Sequence, residues 1–260
     1  MKLRVPAENT ACRDGIGAEH GLSLWLETDG HIILFDKGQS SLCEENARKL
    51  GLDLTGVEAA IVSHGHYDHG GGLKTFLERN KMAPVYLSQY ALEAHYHGRE
   101  RFIGLDGAWR DDSRLVFTDC DRMLFPGVRL CVPGVGFSGS PRREDHMLVR
   151  RGTGFVPDDF CHEQYLLIEE PGQSILISGC SHRGIGHIIR KYRPQTVIGG
   201  FHTSSLDPNG PELERLAKEL ADLGAQYYTC HCTGLPQFGF LKERMGKRIH
   251  YLSSGMVLEL

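Results

Sequence analysis

The sequence predicts an α/β fold, and three observations carry that expectation. Strand, helix and strand patterns follow one another both before and after a glycine-framed loop at 63–72. Short apolar runs such as Ala59-Ala60-Ile61-Val62 and Ile175-Leu176-Ile177 read as buried strands. The segments 184–192 and 211–223 instead place their apolar residues at helical spacing.

In chain order, residues 22–35 form two apolar stretches around Thr28-Asp29-Gly30, the pattern of a hairpin with an Asp-Gly turn. Ser40 or Ser41 is placed to cap a helix over 43–50, which Gly51 stops. A strand over 58–62 leads into the loop, and Leu73, Phe76 and Leu77 start a helix near Gly72. A strand over 84–87 follows. Residues 88–114 lose periodicity and mix aromatic with basic side chains, as an insertion placed to cover the site would. Residues 115–132 read as a hairpin around Pro126-Gly127, and 134–143 as a flexible connection, because neither P-loop nor dinucleotide-binding spacing is present. Arg142, Arg143, Arg150 and Arg151 are candidates for holding a phosphate, with solvated charge as the default. Strands over 165–168, 174–178, 196–198 and 226–229 alternate with the two helices, and Gly224 ends the second of these.

A chain of 260 residues is long enough for one large core, so a single domain over 1–260 is expected, with the insertion near 88–114. The net charge is −4 without a block of like charge, which argues against nucleic-acid and membrane partners and for a small-molecule substrate. With neither a signal-type apolar segment nor a run long enough to span a bilayer, a cytoplasmic location with eight reduced cysteines is expected. Cys230-His231-Cys232 lacks the paired C-x-x-C of a structural zinc site. Composition leaves the oligomeric state open.

The chemistry concentrates in Ser63-His64-Gly65-His66-Tyr67-Asp68-His69-Gly70-Gly71-Gly72, where four metal-capable side chains read H-x-H-x-D-H. Glycines let the backbone turn tightly enough to aim several side chains at one point. Neutral imidazoles and a carboxylate suit a borderline divalent ion such as zinc, and two groups so close together can serve two ions.

This motif after an apolar strand resembles the signature of the metallo-β-lactamase superfamily. The segments Ala18-Glu19-His20-Gly21-Leu22-Ser23, Leu34-Phe35-Asp36-Lys37-Gly38-Gln39-Ser40, Ser178-Gly179-Cys180-Ser181-His182-Arg183-Gly184, Gly199-Gly200-Phe201-His202 and His231-Cys232-Thr233-Gly234 are similar to its dihydropterin–ribofuranosylaminobenzene-phosphate synthase-like branch. The resemblance implies a four-layer αβ/βα sandwich with one or two metals at the edge between its sheets. It implies His64 and His66 on the first metal and Asp68 and His69 on the second. Asp36 would orient the loop from behind. The first metal's third ligand falls at His162 or Glu163, of which Glu163 matches the branch better. Cys180 occupies the position of a bridging aspartate, where a thiolate would favour zinc, although cysteine is also a common buried core residue. His202 is expected as the last ligand of the second metal, with His231 replacing it or touching substrate. His182 enters the site as ligand or general acid–base; Asp68 and His182 are the expected catalytic residues, and His20, His231 and Arg183 the expected substrate contacts.

Two ions are expected, zinc foremost, with manganese, iron or magnesium as alternatives. Water on such an ion has a pKa near 7, so a hydrolase of a small substrate, with phosphorylated molecules among the candidates, is the leading expectation. A synthase-type condensation releasing diphosphate is the alternative that the branch implies. A non-catalytic metal-dependent binding or redox protein is the third.

Overall fold

The hairpin forms as Ser23–Thr28 and His31–Phe35, paired antiparallel, with Asp29 at φ 47° and Gly30 at φ 81°. Two consecutive positive φ values match the twist of the flanking strands, which is why Asp-Gly occupies this turn. The computed structural model describes residues 1–134, 137 and 146–260. Arg142 and Arg143, and most of the 134–143 connection, lie outside the described residues.

Two seven-stranded sheets form the centre of the molecule. The first runs Val257–Glu259, Lys2–Ala7, Ser23–Thr28, His31–Phe35, Ala59–Ile61, Val85–Ser88, Leu115–Thr118. It is antiparallel up to His31–Phe35 and parallel beyond. The second runs Ile249–Tyr251, Gln226–Thr229, Thr196–Ile198, Gln173–Ile177, Tyr165–Glu170, Val128–Cys131, Arg122–Phe125, with the first four strands parallel. Period-two alternation then sorts side chains into layers. Leu24, Leu26, Ile33 and Phe35 meet Leu130, Leu166, Ile175 and Ile177 between the sheets. Trp25 and Leu34 point the other way, onto the helices Leu42–Lys49 and Leu73–Arg79. Val197 and Tyr227 likewise pack on Ile185–Tyr192, Pro211–Leu223 and Leu235–Met245. Each buried aliphatic side chain contributes about 1.5–3 kcal/mol. The result is a helix, sheet, sheet, helix sandwich, the α/β class and layer order expected.

Three local expectations are corrected. Ser41 occupies the helix N-cap position, but its hydroxyl bonds Glu45 at 2.8 Å, and Ser40 Oγ accepts the Leu42 N–H instead. The aperiodic 88–114 region contains the strands Ala94–His97 and Arg101–Phe102. They join Met147–Arg151 and Gly154–Pro157 in a third, antiparallel sheet, hidden from sequence because its strands are largely exposed and four residues or fewer in three cases. Residues 115–118 pair with the first sheet, so that only 122–131 is a hairpin.

Lys37 is fully buried and its ammonium donates to Ile61 O at 2.6 Å. Burial drives the amine from 10.5 down to about 8, with the Asp36 carboxylate opposing. A lysine whose folded pKa lies below its unfolded value destabilises the fold while charged, so stability is regained as pH rises from about 8 to 10.5. Relative to Lys37→Met, the unfolding free energy in urea should therefore increase by about 3 kcal/mol over that interval. A pH-independent difference would contradict the burial argument.

Candidate metal centre

Every candidate donor sits at or just past the carboxyl end of a strand, where open α/β sheets gather functional groups. His64 and His66 follow Ala59–Ile61, and Tyr67–Gly70 is a four-residue helix that turns Asp68 and His69 inward. Cys180 and His182 follow Gln173–Ile177, His202 follows Thr196–Ile198, and His231 follows Gln226–Thr229.

The hydrogen bonds fix which nitrogen of each ring faces the centre. Ser63 Oγ donates to Asp36 Oδ2 at 2.7 Å, so at 2.8 Å it accepts the proton of His64 Nδ1. That leaves the lone pair on His64 Nε2, which is buried without a partner, as is His66 Nε2. Asp36 Oδ2 also takes the Nδ1–H of His69 at 2.6 Å, and Asn9 Oδ1 takes that of His231 at 2.7 Å. Both rings thereby turn Nε2 inward, the tautomer that outer carboxylates and amides impose on metal-binding histidines. Only glycine fits at 179, since a Cβ there would lie 2.2 Å from Ser63 Oγ.

Two groups result. His64, His66 and His182 form a near-equilateral set with ring centroids 4.6, 5.0 and 4.9 Å apart. In the second, His231 Nε2 lies 3.1 Å from Asp68 Oδ2 and 3.3 Å from His69 Nε2, which is 3.8 Å from Asp68 Oδ2. Tetrahedral coordination with bonds of about 2.1 Å separates donors by roughly 3.4 Å, so this triangle has the size of an ion's coordination shell. Cys180 Sγ stands 3.1 Å from His69 Nε2.

Burial, reinforced by neighbouring imidazoles, holds His64, His66 and His182 well below the usual histidine range, keeping them neutral and able to donate lone pairs. Burial opposes ionisation of Asp68, but His69, His20 and His231 outweigh it and hold its carboxyl well below the ordinary value. Burial also opposes charge on His69, yet the Asp36 and Asp68 carboxylates lift it to about 9.

Three expected residues fall elsewhere. Glu163 is not among the donors. Its Oε1 accepts His182 N–H at 2.7 Å, and its Oε2 accepts Arg183 N–H at 3.2 Å and the Tyr165 hydroxyl at 2.6 Å, so it anchors the loop that carries His182. Arg183 turns away from the cavity, donating to Gly134 O and lying over Phe137. His202 lies beside His182, ring centroids 4.1 Å apart, rather than with Asp68 and His69, where His231 stands. His20 reaches Asp68 Oδ2 at 3.3 Å.

His162 supports the loop from behind, and its Nε2, like those of His64 and His66, is buried without a hydrogen-bond partner. Its Nδ1 accepts the N–H of Gly65 at 2.8 Å, which puts the ring proton on Nε2, 3.3 Å from Asp158 Oδ2. The same oxygen holds His95 Nδ1 at 2.8 Å. His66, His95, Asp158 and His162 cluster within 4.8 Å as a further group of possible donors, in which His95 and Asp158 are hydrogen-bonded to each other. Phe160, between them, stacks on His182 at 4.4 Å. Residues 158–164 thus back the site along their whole length.

The donors open onto a cavity of about 510 Å³. His66, Asp68, Cys180, His182, His202 and His231 reach it from the two main sheets, and His97, Arg101, Ile103, His146 and Met147 from the third sheet and its flanks. Arg101 also donates to the Tyr67 hydroxyl at 3.1 Å. Arg101 comes from the 88–114 segment expected to cover the site, whereas sequence reasoning missed Asn9, Glu8 and His146, none of which belongs to a recognisable motif. It dismissed Cys232 for want of a paired C-x-x-C, although its position beside His231 was a usable signal.

The family model described as the metallo-beta-lactamase superfamily matches residues 16–222, and the chain belongs to that superfamily. A crystal structure of a metal-dependent hydrolase of the beta-lactamase superfamily superposes with a TM-score of 0.83 at 29% identity, covering 100% of this chain and 99% of that one. The chain is also 26% identical to the 7,8-dihydropterin-6-methyl-4-(beta-D-ribofuranosyl)-aminobenzene-5'-phosphate synthase of Methanocaldococcus jannaschii, over 93% of this chain and 90% of that protein. An uncharacterized protein of the same organism is 26% identical over 89% of this chain and 90% of its own length. The superfamily typically binds divalent metals, and the buried histidine and aspartate clusters fit that chemistry. No helix among the described residues is long and apolar enough to cross a membrane.

Proposed function

We propose that this chain is a metal-dependent hydrolase of a small anionic substrate, phosphoesters foremost. The observation that carries the reading is the pair of adjoining donor groups, His64/His66/His182 and Asp68/His69/His231, of which His66, His182, Asp68 and His231 line one cavity together with Cys180. Divalent ions there, zinc first and manganese, iron or magnesium after it, would supply Lewis acidity and water of lowered pKa. Asp68, ionised and held by three histidines, orients the attacking side of the cavity. His202 lines the cavity next to His182 and serves as the acid–base group for the leaving oxygen. Arg101 supplies the guanidinium for the anionic end, and the third sheet limits access of bulk water.

The test is turnover on a panel of phosphomonoesters, phosphodiesters and lactones, with chelation abolishing activity. Arg101→Ala should raise KM for the anionic substrate by about tenfold to a hundredfold with kcat retained, the worth of a charge-assisted hydrogen bond. Failure of the metal-loaded protein on the whole panel would remove the reading. The relationship to the archaeal synthase favours a second one, a condensation that joins a pterin methyl carbon to an aminobenzene riboside and releases diphosphate. Diphosphate release from the paired substrates distinguishes it.

A further inference from the structure

The eight cysteines divide into different environments. Cys43, Cys230 and Cys131 each belong to an apolar cluster, as buried core cysteines do. Cys180 and Cys232 are equally buried, yet neither belongs to an apolar cluster among the described residues, and both reach the cavity that holds the donors. They come from different loops, 52 positions apart, and meet side by side: Cys232 Sγ donates to Cys180 O at 3.6 Å, and the two sulfurs lie within 4.8 Å of each other. Together with His231 they offer three donor atoms within 4.8 Å of one another. Cys180 Sγ is 3.1 Å from His69 Nε2, which belongs to the Asp68/His69/His231 triangle. The backbone prepares Cys232 for this position. His202 donates its N–H to Cys232 Sγ at 3.3 Å, and a Cβ at Gly200 would lie 2.3 Å from that sulfur.

From this juxtaposition we infer that the second ion position carries two sulfur ligands, Cys180 and Cys232, and is therefore built for a thiophilic ion, zinc or iron(II), to the exclusion of magnesium. The inference rests on the dinuclear reading above and narrows it. Thiolates are soft donors, whereas magnesium requires an octahedral shell of oxygens that this set does not provide. Each sulfur–metal bond forms as the thiol loses its proton to solvent, so metal uptake releases protons. The second sulfur is what separates this site from one in which position 180 acts alone.

Cobalt(II) is the probe, because thiolate-to-cobalt charge transfer absorbs in the near ultraviolet while imidazole and carboxylate ligation does not. The full-length protein, reduced and loaded anaerobically with cobalt, should show that absorption. Cys180→Ser and Cys232→Ser should each remove about half of it, and the double variant all of it. Cobalt-edge X-ray absorption on the unaltered protein makes the result independent of how the variants fold. Two sulfurs over two ions predict about one sulfur per cobalt at about 2.3 Å. A charge-transfer band untouched by Cys232→Ser, or about half a sulfur per cobalt, overturns the inference and leaves Cys180 as sole sulfur ligand. Cobalt bound with no sulfur signal overturns it while sparing the dinuclear reading, and failure to bind cobalt removes both.

Discussion

Asp68→Asn should lower kcat/KM about 10⁴-fold, equivalent to about 5.5 kcal/mol of transition-state stabilisation, and cost one of two metal equivalents. The asparagine keeps the side chain's shape but not its charge. That charge holds His231 Nε2 at 3.1 Å, His20 Nε2 at 3.3 Å and His69 Nε2 at 3.8 Å around one oxygen. Without it the three rings lose the anion that orients them, and the second donor group loses its one carboxylate. The His64/His66/His182 group does not include Asp68, so it should keep its ion. Elemental analysis beside steady-state kinetics checks both parts. Two equivalents of metal and activity within about tenfold of the parent would show that Asp68 does not hold the second ion.

Glu163→Gln should destabilise the metal-free protein by about 2–4 kcal/mol, because a threefold acceptor becomes a group that can satisfy at most some of the same donors. The His182 and Arg183 N–H groups and the Tyr165 hydroxyl all point at this carboxylate, and the amide places a second donor against one of them. Burial raises the Glu163 carboxyl, while those three donors and the nearby Arg183 charge favour its ionised form. The experiment separates two roles. A metal ligand would leave the metal-free stability nearly unchanged and act only when ions are present. A group that holds the 180–183 loop shows its loss in urea unfolding of the metal-free protein, and secondarily as weaker retention of the first ion. Unchanged metal-free stability would return Glu163 to the ligand set.

Local chemistry made the metal loop legible. H-x-H-x-D-H lies within six positions, and the strand before it and helix after it have clean apolar periods. The layer order was also legible, because aliphatic alternation in 22–35 and the strand–helix succession after 165 leave few other packings. What escaped was the choice among donors far apart in sequence. Glu163 and His182 are both polar groups at strand ends of the second sheet, and only hydrogen-bond direction separates the residue that holds the loop from the residue the loop presents. His202 and His231 follow adjacent parallel strands at similar depth. Both stand in left-handed turns, at φ 50° and 48°, and what separates them is their partners: Glu8 and Asn9 hold His231 beside Asp68, a long-range contact no spacing rule encodes. The terminal strand Lys2–Ala7 was readable in principle from Lys-Leu-Arg-Val alternation. The helix Leu235–Met245 was obscured by an internal Gly239 and Pro236.

The buried Glu8 accepts the backbone N–H of His231 at 2.7 Å and the Tyr251 hydroxyl at 2.9 Å, while neighbouring Asn9 holds the His231 ring. The partners Glu8 and His231 are 223 positions apart. On the ribosome, then, the first-sheet strands from Lys2–Ala7 to Leu115–Thr118 and the imidazoles of the 63–69 loop are synthesised long before the segment that completes the centre. Ordering of the last donor requires closure of a loop nearly as long as the chain, which places it among the latest and slowest steps of folding. A nascent chain stalled before residue 231 would display an incomplete, adhesive cluster of nitrogen donors, open to whatever transition ion the surroundings offer.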